Sequence, residues 1–180
     1  AEAGLNHNGS LKLAMELVDK AKEVNCDAIK FQTFKRDSRI SSEVKSVKYA
    51  ETVTGIEESL DEMFNRLSMP FAEQKELFKY ANDQGIEIFS TPFDFESVDF
   101  LETLNVNLYK IASMDLVNLP LIKYVASTQK PIIISTGMSN LGQIEDAVEA
   151  VRKTGNKNLI LLHCNSSYPA APEEMNLKAI

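Results

Sequence analysis

Apolar runs of strand length alternate with helix-length segments along most of this chain, and this alternation constrains the fold more than any other feature. A strand, a helix and a second strand in succession form a βα unit, in which the two strands run parallel. Because parallel strands point the same way, their carboxyl ends meet at one rim, where ligand sites of α/β proteins lie. The pattern is regular from residue 86 onward, with predicted strands at 86–91, 108–113, 131–136 and 159–164 and predicted helices near 95–104, 119–127 and 140–153.

The first half of the chain follows the same pattern with one interruption. A strand remnant begins at Ala1, and Ser10 caps a predicted helix before a second strand runs into Phe31. Residues 35–48 are charged and rich in serine, which predicts a long loop on the rim, either a substrate lid or a solvated excursion without a role. A short helix over 60–67 and a longer one over 70–82, with Gly85 just beyond its end, follow. The apolar stripe of the first helix comprises Leu13, Ala14, Leu17, Val18, Ala21 and Val24.

The number of strands and the positions of the polar residues select the fold class. We count about six βα units, whereas a closed (β/α)8 barrel has eight strands and usually about 250 residues. A doubly wound open sheet fits the length, but such a sheet usually gathers its ligand-binding groups at one switch point. Here every predicted strand ends in polar residues that could bind a ligand. The sequence therefore predicts an α/β fold of the TIM-type (β/α)8 barrel class, incomplete in this chain, with residues 1–180 forming one partial barrel domain.

Composition and charge exclude several classes of function. The 180 residues are 44% apolar, and the formal net charge of -7 provides no cationic surface for nucleic acid. No apolar run approaches the ~20 residues of a membrane span, and no signal-peptide pattern opens the chain. The two cysteines lack CxxC spacing and are too few for a disulfide framework. We therefore expect a cytoplasmic protein that binds neither nucleic acid nor membrane.

Two lysines lie inside otherwise apolar strands. Lys30 lies in the segment AIKFQ and Lys110 in the segment LYKIAS, and a buried ammonium group is costly unless it meets an anion or a polar cavity. Hydroxyl groups of the kind that bind phosphate or carboxylate oxygens end the strands: Ser90, Thr91, Ser113, Ser135 and Thr136. Each hydroxyl taken alone could instead bond a neighbouring backbone carbonyl. Together with the lysines they predict a site for an anionic ligand, and the absence of a glycine-rich phosphate loop argues against a nucleotide cofactor.

Glu2 and the two histidines are the remaining candidates. Glu2 stands among small residues that let a ligand approach closely, so it could act as a general acid or base, or it could form an ion pair with a lysine. His7 and His163 show no spacing typical of metal ligands. No complete metal site can be built from this sequence, and we expect either histidine to be a hydrogen-bonded structural residue.

Six short motifs, taken in order along the chain, resemble the sialic acid synthase family. They are AEAGLNHNGS from Ala1, KFQT from Lys30, STPFD from Ser90, KIAS from Lys110, STGM from Ser135 and LHCNSSYP from Leu162. Each motif is weak alone, but six in register are specific. The resemblance implies a TIM-barrel enzyme that condenses phosphoenolpyruvate with an N-acylated hexosamine such as N-acetylmannosamine, giving N-acetylneuraminate or a related nonulosonic acid plus phosphate.

The resemblance also implies roles for individual residues. Glu2, Lys30 and Lys110 would be catalytic, with Glu2 managing protons around the attacking water. The residues implied for phosphoenolpyruvate are Lys30, Thr91, Lys110, Ser113, Ser135 and Ser166, the last replacing an asparagine of some members and keeping part of its hydrogen bonding. The residues implied for the sugar are Gln32, Asp115 and Tyr168. Some members have glutamate in place of Asp115, so the identity of the sugar stays open.

Two features of the family are expected only in the intact protein. The resemblance implies a divalent metal, Mn2+ or Mg2+, held by two histidines on later strands that would follow Ile180, so no metal ligand is assigned here. It also implies a C-terminal antifreeze-like (SAF) domain, absent from this chain, which completes the partner subunit's site in a homodimer.

Two other functions remain open from the residues alone. A Schiff-base aldolase on the same barrel would use Lys30 or Lys110 as its nucleophile. A non-catalytic module would bind a sugar phosphate and leave it unchanged.

Overall fold

The computed structural model describes residues 1–35, 59–167 and 169–180. Their strands are β1 (Glu2–Gly4), β2 (Ala28–Thr33), β3 (Glu87–Pro92), β4 (Tyr109–Ile111), β5 (Ile132–Ser135) and β6 (Leu159–Leu162). All neighbours are parallel, and the strands lie in the order of the chain. An order without a reversal is that of a (β/α)8 barrel and not of a doubly wound sheet, which confirms the predicted fold class.

Helices with well-defined ends connect the strands. They are α1 (Leu11–Glu23), α2 (Leu60–Leu67), α3 (Phe71–Gln84), α4 (Phe95–Thr103), α5 (Leu119–Ser127) and α6 (Leu141–Arg152). The Ser10 hydroxyl accepts from the Leu13 N–H at 3.3 Å, as the predicted cap of α1 requires. Gly85 ends α3 with a φ of 73°, a left-handed conformation that glycine adopts without strain.

The predicted apolar stripe of α1 is only partly buried. Ala14, Val18 and Ala21 are buried, whereas Leu13 and Val24 are exposed. Val24 is the C-cap residue, past the last turn of the helix, and Leu13 lies on the flank of the buried stripe. The contact of α1 with the rest of the protein is therefore narrower than the sequence suggests.

The register of the strands decides which side chains share a face of the sheet. Gln32 pairs with Thr91 across β2 and β3, and Ser90 pairs with Tyr109 across β3 and β4. Paired residues of a parallel ladder point to the same side, and successive residues of a strand point to opposite sides. One side, here called the inner face, carries Lys30, Gln32, Phe89, Thr91, Lys110, Ile133 and Ser135.

The opposite, helix-facing side carries the hydrophobic core. Its buried side chains include Ile29, Phe31, Ile88, Tyr109, Ile111, Ile132 and Ile134, which form one cluster with buried residues of the helices. Each fully buried Ile or Leu contributes about 1.5–3 kcal/mol relative to an exposed one. The Tyr109 hydroxyl lies 2.6 Å from the Glu102 carboxylate, and burial together with this bond raises the pKa of Tyr109.

A buried polar network ties β2, β3 and α3 together. The Thr33 hydroxyl donates to the Gln74 side chain at 2.8 Å and lies 2.7 Å from the Ser90 hydroxyl, while Gln74 Nε2 donates to the Met69 carbonyl at 2.8 Å. Ser90 is therefore a structural residue on the helix-facing side. It is not the ligand donor that its position at a strand end suggests.

Several predicted boundaries shift in the structure. Both β4 and β6 end earlier than predicted, and Ser113 lies in a single 3-10 turn, Ser113–Asp115, that follows β4. Of the predicted loop at 35–48, only Lys35 falls within the described residues. No helix in the described part of the chain is long and apolar enough to cross a membrane.

Candidate functional site

Lys30 projects from β2 onto the inner face and pairs with Glu2. Its ammonium group lies 2.9 Å from Glu2 Oε2 and 3.4 Å from the Thr91 hydroxyl. The Lys30 side chain is mostly buried, whereas Glu2 is exposed. The ion pair that the sequence leaves open for Glu2 is thus present, and it places a carboxylate, a cation and a hydroxyl together.

Lys110 projects from β4 onto the same face and is only 8% exposed. Its ammonium group donates to the Ser135 hydroxyl at 2.5 Å and to the Ile111 carbonyl at 2.7 Å. Burial, and after it the positive charge of Lys30, lowers the pKa of Lys110 to about 8, with Cys164 and Glu2 opposing the shift. Within the described residues no carboxylate lies within ion-pair distance of Lys110, so its partners are neutral.

The end of β5 brings two further serines to this rim. The Gly137 N–H, two residues after Ser135, donates to the Ser113 hydroxyl at 3.0 Å. Ser166 also lies beside Gly137, close enough that a β-carbon at position 137 would meet its hydroxyl oxygen. Four of the six residues implied for phosphoenolpyruvate are therefore connected by short contacts in two pairs: Lys30 with Thr91, and Lys110 with Ser135. Ser113 and Ser166 meet around Gly137.

The structure locates two of the three residues implied for the sugar. Gln32 lies on the inner face, paired in register with Thr91. Asp115 is half-buried at the end of the 3-10 turn that begins at Ser113. Tyr168 lies outside the described residues.

Two of the polar residues at strand ends serve the backbone or the core. Thr136 donates its hydroxyl proton to the Leu162 carbonyl at 2.8 Å and so links the ends of β5 and β6. Ser90 belongs to the buried network with Thr33. For these two residues the structural alternative holds.

Neither histidine belongs to a metal site in the described residues. His7 is buried, its Nδ1 accepts from the Gly9 N–H at 3.0 Å, and burial lowers the pKa of the imidazole. His163 Nε2 lies 2.8 Å from the Met175 carbonyl. No group of three or more His, Cys, Asp or Glu side chains in the described ranges is arranged to hold a metal ion. The resemblance places the metal ligands after Ile180, so the metal stays an expectation for the full-length protein.

The residue that sequence reasoning missed is Gly137. It matches no phosphate-binding loop pattern, and its importance comes from contacts between three separate segments of the chain. The only signal in the sequence is a glycine directly after the two hydroxyl residues Ser135 and Thr136.

The sequential parallel sheet and the two lysines at its carboxyl rim define the class, an α/β protein of the TIM-barrel type with a cationic inner rim. Comparison with known proteins supplies the family. The sequence model of the NeuB family matches residues 17–180, and the chain belongs to this family.

Two curated relatives match the chain over its whole length. N,N'-diacetyllegionaminic acid synthase of Campylobacter jejuni is 44% identical over 182 residues, which cover 100% of this chain and 54% of the relative. The protein of the same name from Legionella pneumophila is 43% identical over 184 residues, which cover 100% of this chain and 52% of the relative. The chain thus spans about half the length of the curated relatives that it matches.

A solved structure agrees with the fold. The N-acetylneuraminic acid (sialic acid) synthetase from Leptospira borgpetersenii, crystallised with citrate, matches with a TM-score of 0.86 and 33% identity, covering 100% of this chain and 58% of that chain. The resemblance to the sialic acid synthase family is therefore confirmed.

Proposed function

We propose that the full-length protein is a nonulosonic acid synthase that condenses phosphoenolpyruvate with an N-acylated hexosamine. The products are N-acetylneuraminate, or a related nonulosonic acid, and inorganic phosphate. The observation that carries the proposal is the pair of lysines, Lys30 and Lys110, on one inner face. Phosphoenolpyruvate joins a carboxylate and a phosphate through one carbon atom, so it supplies two anionic groups to two neighbouring cations.

The proposed reaction forms one carbon–carbon bond and breaks one carbon–oxygen bond. The enol carbon of phosphoenolpyruvate attacks the aldehyde carbon of the open-chain sugar, and water adds to the carbon that bears phosphate. The C–O bond to phosphate then breaks, its electron pair leaves with the phosphate, and the keto group forms. One proton of the water goes to the former aldehyde oxygen and the other to the departing phosphate.

The chain's own residues hold the charges and the protons of this reaction. Lys30 and Lys110 hold the phosphate and carboxylate throughout, in a partly dry pocket where preorganised donors are most effective. The hydroxyls that assist them are those of Thr91, Ser113, Ser135 and Ser166. Glu2 takes a proton from the attacking water, and its ion pair with Lys30 keeps the carboxylate at the site. Gln32, Asp115 and Tyr168 contact the sugar.

The metal and the assembly are proposals for the full-length protein. We propose that Mn2+ or Mg2+ is bound by residues outside this chain, and none of the steps above is assigned to it. We also propose a homodimer in which a C-terminal antifreeze-like domain completes the partner subunit's site. Sedimentation equilibrium of the full-length protein tests the dimer, and removal of that domain should abolish turnover.

The test of the proposed function is turnover by the full-length protein. It is incubated with phosphoenolpyruvate, Mn2+ and a panel of N-acylhexosamines while phosphate release and product mass are recorded. Both curated relatives are named N,N'-diacetyllegionaminic acid synthase, which supports a diacetamido-trideoxyhexose as the first acceptor to test. The panel also contains N-acetylmannosamine and its phosphate ester. Phosphate release matched by a nonulosonic acid mass supports the proposal, and no release with any sugar contradicts it.

The second candidate function is the Schiff-base aldolase, which the pKa of Lys110 favours. With a pKa of about 8, this amine is partly neutral near physiological pH and could attack a carbonyl group. Borohydride reduction in the presence of pyruvate separates the two functions. A covalent adduct on Lys110 supports the aldolase, whereas metal-dependent phosphate release supports the synthase.

A further inference from the structure

We infer that Gly137 is a positioning residue of this site. Its missing β-carbon lets the hydroxyls of Ser113 and Ser166 converge, and its N–H orients the Ser113 hydroxyl as a donor to phosphoenolpyruvate. The inference rests on the proposed function, because it assigns the two serines to the phosphoenolpyruvate anion.

A side chain at position 137 would collide with the two serine hydroxyls beside it. A β-carbon at this position would lie 2.8 Å from Ser166 Oγ, 2.9 Å from Ser113 Oγ and 3.3 Å from the Cys164 carbonyl oxygen. Real β-carbons essentially never approach another heavy atom within 3.0 Å. Alanine at 137 would therefore move one or both hydroxyls from the positions they hold.

The backbone does not explain the glycine. Gly4, Gly9, Gly85 and Gly155 have positive φ angles, which favour glycine, but Gly137 does not. The next residue, Met138, has a φ of 58° and yet carries a long side chain. Glycine therefore stands at position 137, where a β-carbon would collide with its surroundings, and the left-handed conformation is adopted by the next residue, Met138.

The hydrogen bond from Gly137 decides what the Ser113 hydroxyl can do. A hydroxyl group has one proton to donate and two lone pairs that accept. Since Ser113 Oγ accepts from the Gly137 N–H at 3.0 Å, its own proton remains available for donation to another acceptor. In the described residues this hydroxyl donates to no protein acceptor, so a ligand oxygen can take the bond. Ser113 then acts as a donor beside Ser135, which contacts Lys110 at 2.5 Å.

Two matched glycine variants of the full-length protein test the inference. Gly137→Ala should raise the Kd for phosphoenolpyruvate about ten- to a hundredfold, the loss expected for a hydrogen bond to a charged group. Gly142→Ala is the control, because its added β-carbon would meet only Asn140 Oδ1, at 3.4 Å, and its φ is ordinary. The control should stay within about twofold of the wild type, as surface substitutions usually do. Equal affinities for the two variants overturn the inference.

A coupled variant separates positioning from a general structural effect. In a Ser113→Ala, Ser166→Ala background both colliding oxygen atoms are gone, so adding Gly137→Ala should change the Kd by less than about twofold. A further loss as large as in the wild type means that Gly137 supports the fold and not the two hydroxyls. This result also overturns the inference.

A measurement without substitution at 137 covers the case in which Gly137→Ala does not fold. In 15N-glycine-labelled wild-type protein, the Gly137 amide resonance should shift as phosphoenolpyruvate is added, and the Gly142 resonance should not. An unchanged Gly137 resonance at saturation contradicts the inference while the proposed function stands. A wild-type protein that binds no phosphoenolpyruvate contradicts both.

Discussion

At the scale of single residues, Lys110 is a buried cation held by neutral partners. Its ammonium group is bonded to the Ser135 hydroxyl and the Ile111 carbonyl, and its pKa falls from 10.5 to about 8. A difference of this size corresponds to about 3 kcal/mol of unfavourable free energy for the charged form at neutral pH. A bound anion would remove much of this cost, which is the physical basis of the proposed site.

Replacing Lys110 by Met should therefore weaken ligand binding without lowering the stability of the fold. The free energy of unfolding should stay constant or rise by up to about 2 kcal/mol, because a buried charge gives way to an apolar side chain of similar length. The Kd for phosphoenolpyruvate should rise about a hundredfold or more. Urea unfolding and calorimetric titration measure the two effects, with Lys79→Met, at an exposed ion pair with Asp83, as the control. A variant that loses stability and keeps affinity would contradict a ligand-binding role.

The pH dependence of binding follows from the same residue. If phosphoenolpyruvate binds to protonated Lys110 as proposed, its affinity should fall as pH rises through about 8, by up to about tenfold per pH unit. The charged or titratable groups that influence Lys110 are Lys30, Cys164 and Glu2. Calorimetric titrations between pH 7 and 9.5 measure the fall, and Lys110→Arg, which stays protonated, should show none. A constant affinity in the wild type would contradict the assignment.

The pH dependence of stability should run in the opposite direction to that of binding. As pH rises, the contribution of Lys110 to the free energy of unfolding becomes more favourable, whereas binding of phosphoenolpyruvate weakens. Its pKa in the folded protein, about 8, lies below 10.5, so the folded chain releases the proton first. The unfolded chain then binds more protons between these values, and this group makes the free energy of unfolding rise with pH across that window. Urea unfolding of the wild type and of Lys110→Met at pH 7.5 and 9.5 isolates the contribution, since the variant lacks it.

At the scale of elements, two adjacent residues of β3 have different roles, one in the buried polar network and one at the proposed ligand site. Ser90 points to the helix-facing side and lies 2.7 Å from Thr33 Oγ1, whereas Thr91 points to the inner face, 3.4 Å from Lys30 Nζ. Ser90→Ala should lower the free energy of unfolding by about 1–2 kcal/mol and leave the Kd for phosphoenolpyruvate unchanged. Thr91→Val should raise that Kd about tenfold with little loss of stability. If both variants affect binding equally, the inner and helix-facing sides have been assigned wrongly.

The elements also show how far the sequence predicts the site. The alternation of strands and helices predicts that the strands are parallel. The cost of burying an ammonium group predicts that Lys30 and Lys110 lie at a site for an anionic ligand. The pairing register, which separates Ser90 from Thr91, comes from contacts between distant segments and is not visible in one strand alone. Gly137 is hidden for the same reason, because Ser113 and Ser166 reach it only after folding.

At the scale of the whole molecule, the open edge of the sheet at β6 is the notable surface. Ile160, Leu161 and Leu162 are 52%, 43% and 38% exposed, although they lie in a strand of apolar residues. An exposed apolar edge strand is a template for pairing with another chain. The 180-residue chain prepared by itself should therefore self-associate through β6.

Leu161→Lys tests this association, because a lysine on an edge strand opposes pairing. Sedimentation velocity should show associated species for the 180-residue chain and a monomer for the variant. Leu141→Lys, on α6 and also exposed, should leave the association unchanged. A monomeric parent chain at high concentration would show that the edge is protected.

The central claim is that the full-length protein joins phosphoenolpyruvate to a sugar by breaking the C–O bond to phosphate. The most direct test uses phosphoenolpyruvate labelled with 18O at the bridging oxygen, the acceptor found in the sugar panel, and mass spectrometry of both products. The account predicts one labelled phosphate for each nonulosonic acid formed. Unlabelled phosphate, or phosphate release without a condensation product, would contradict it.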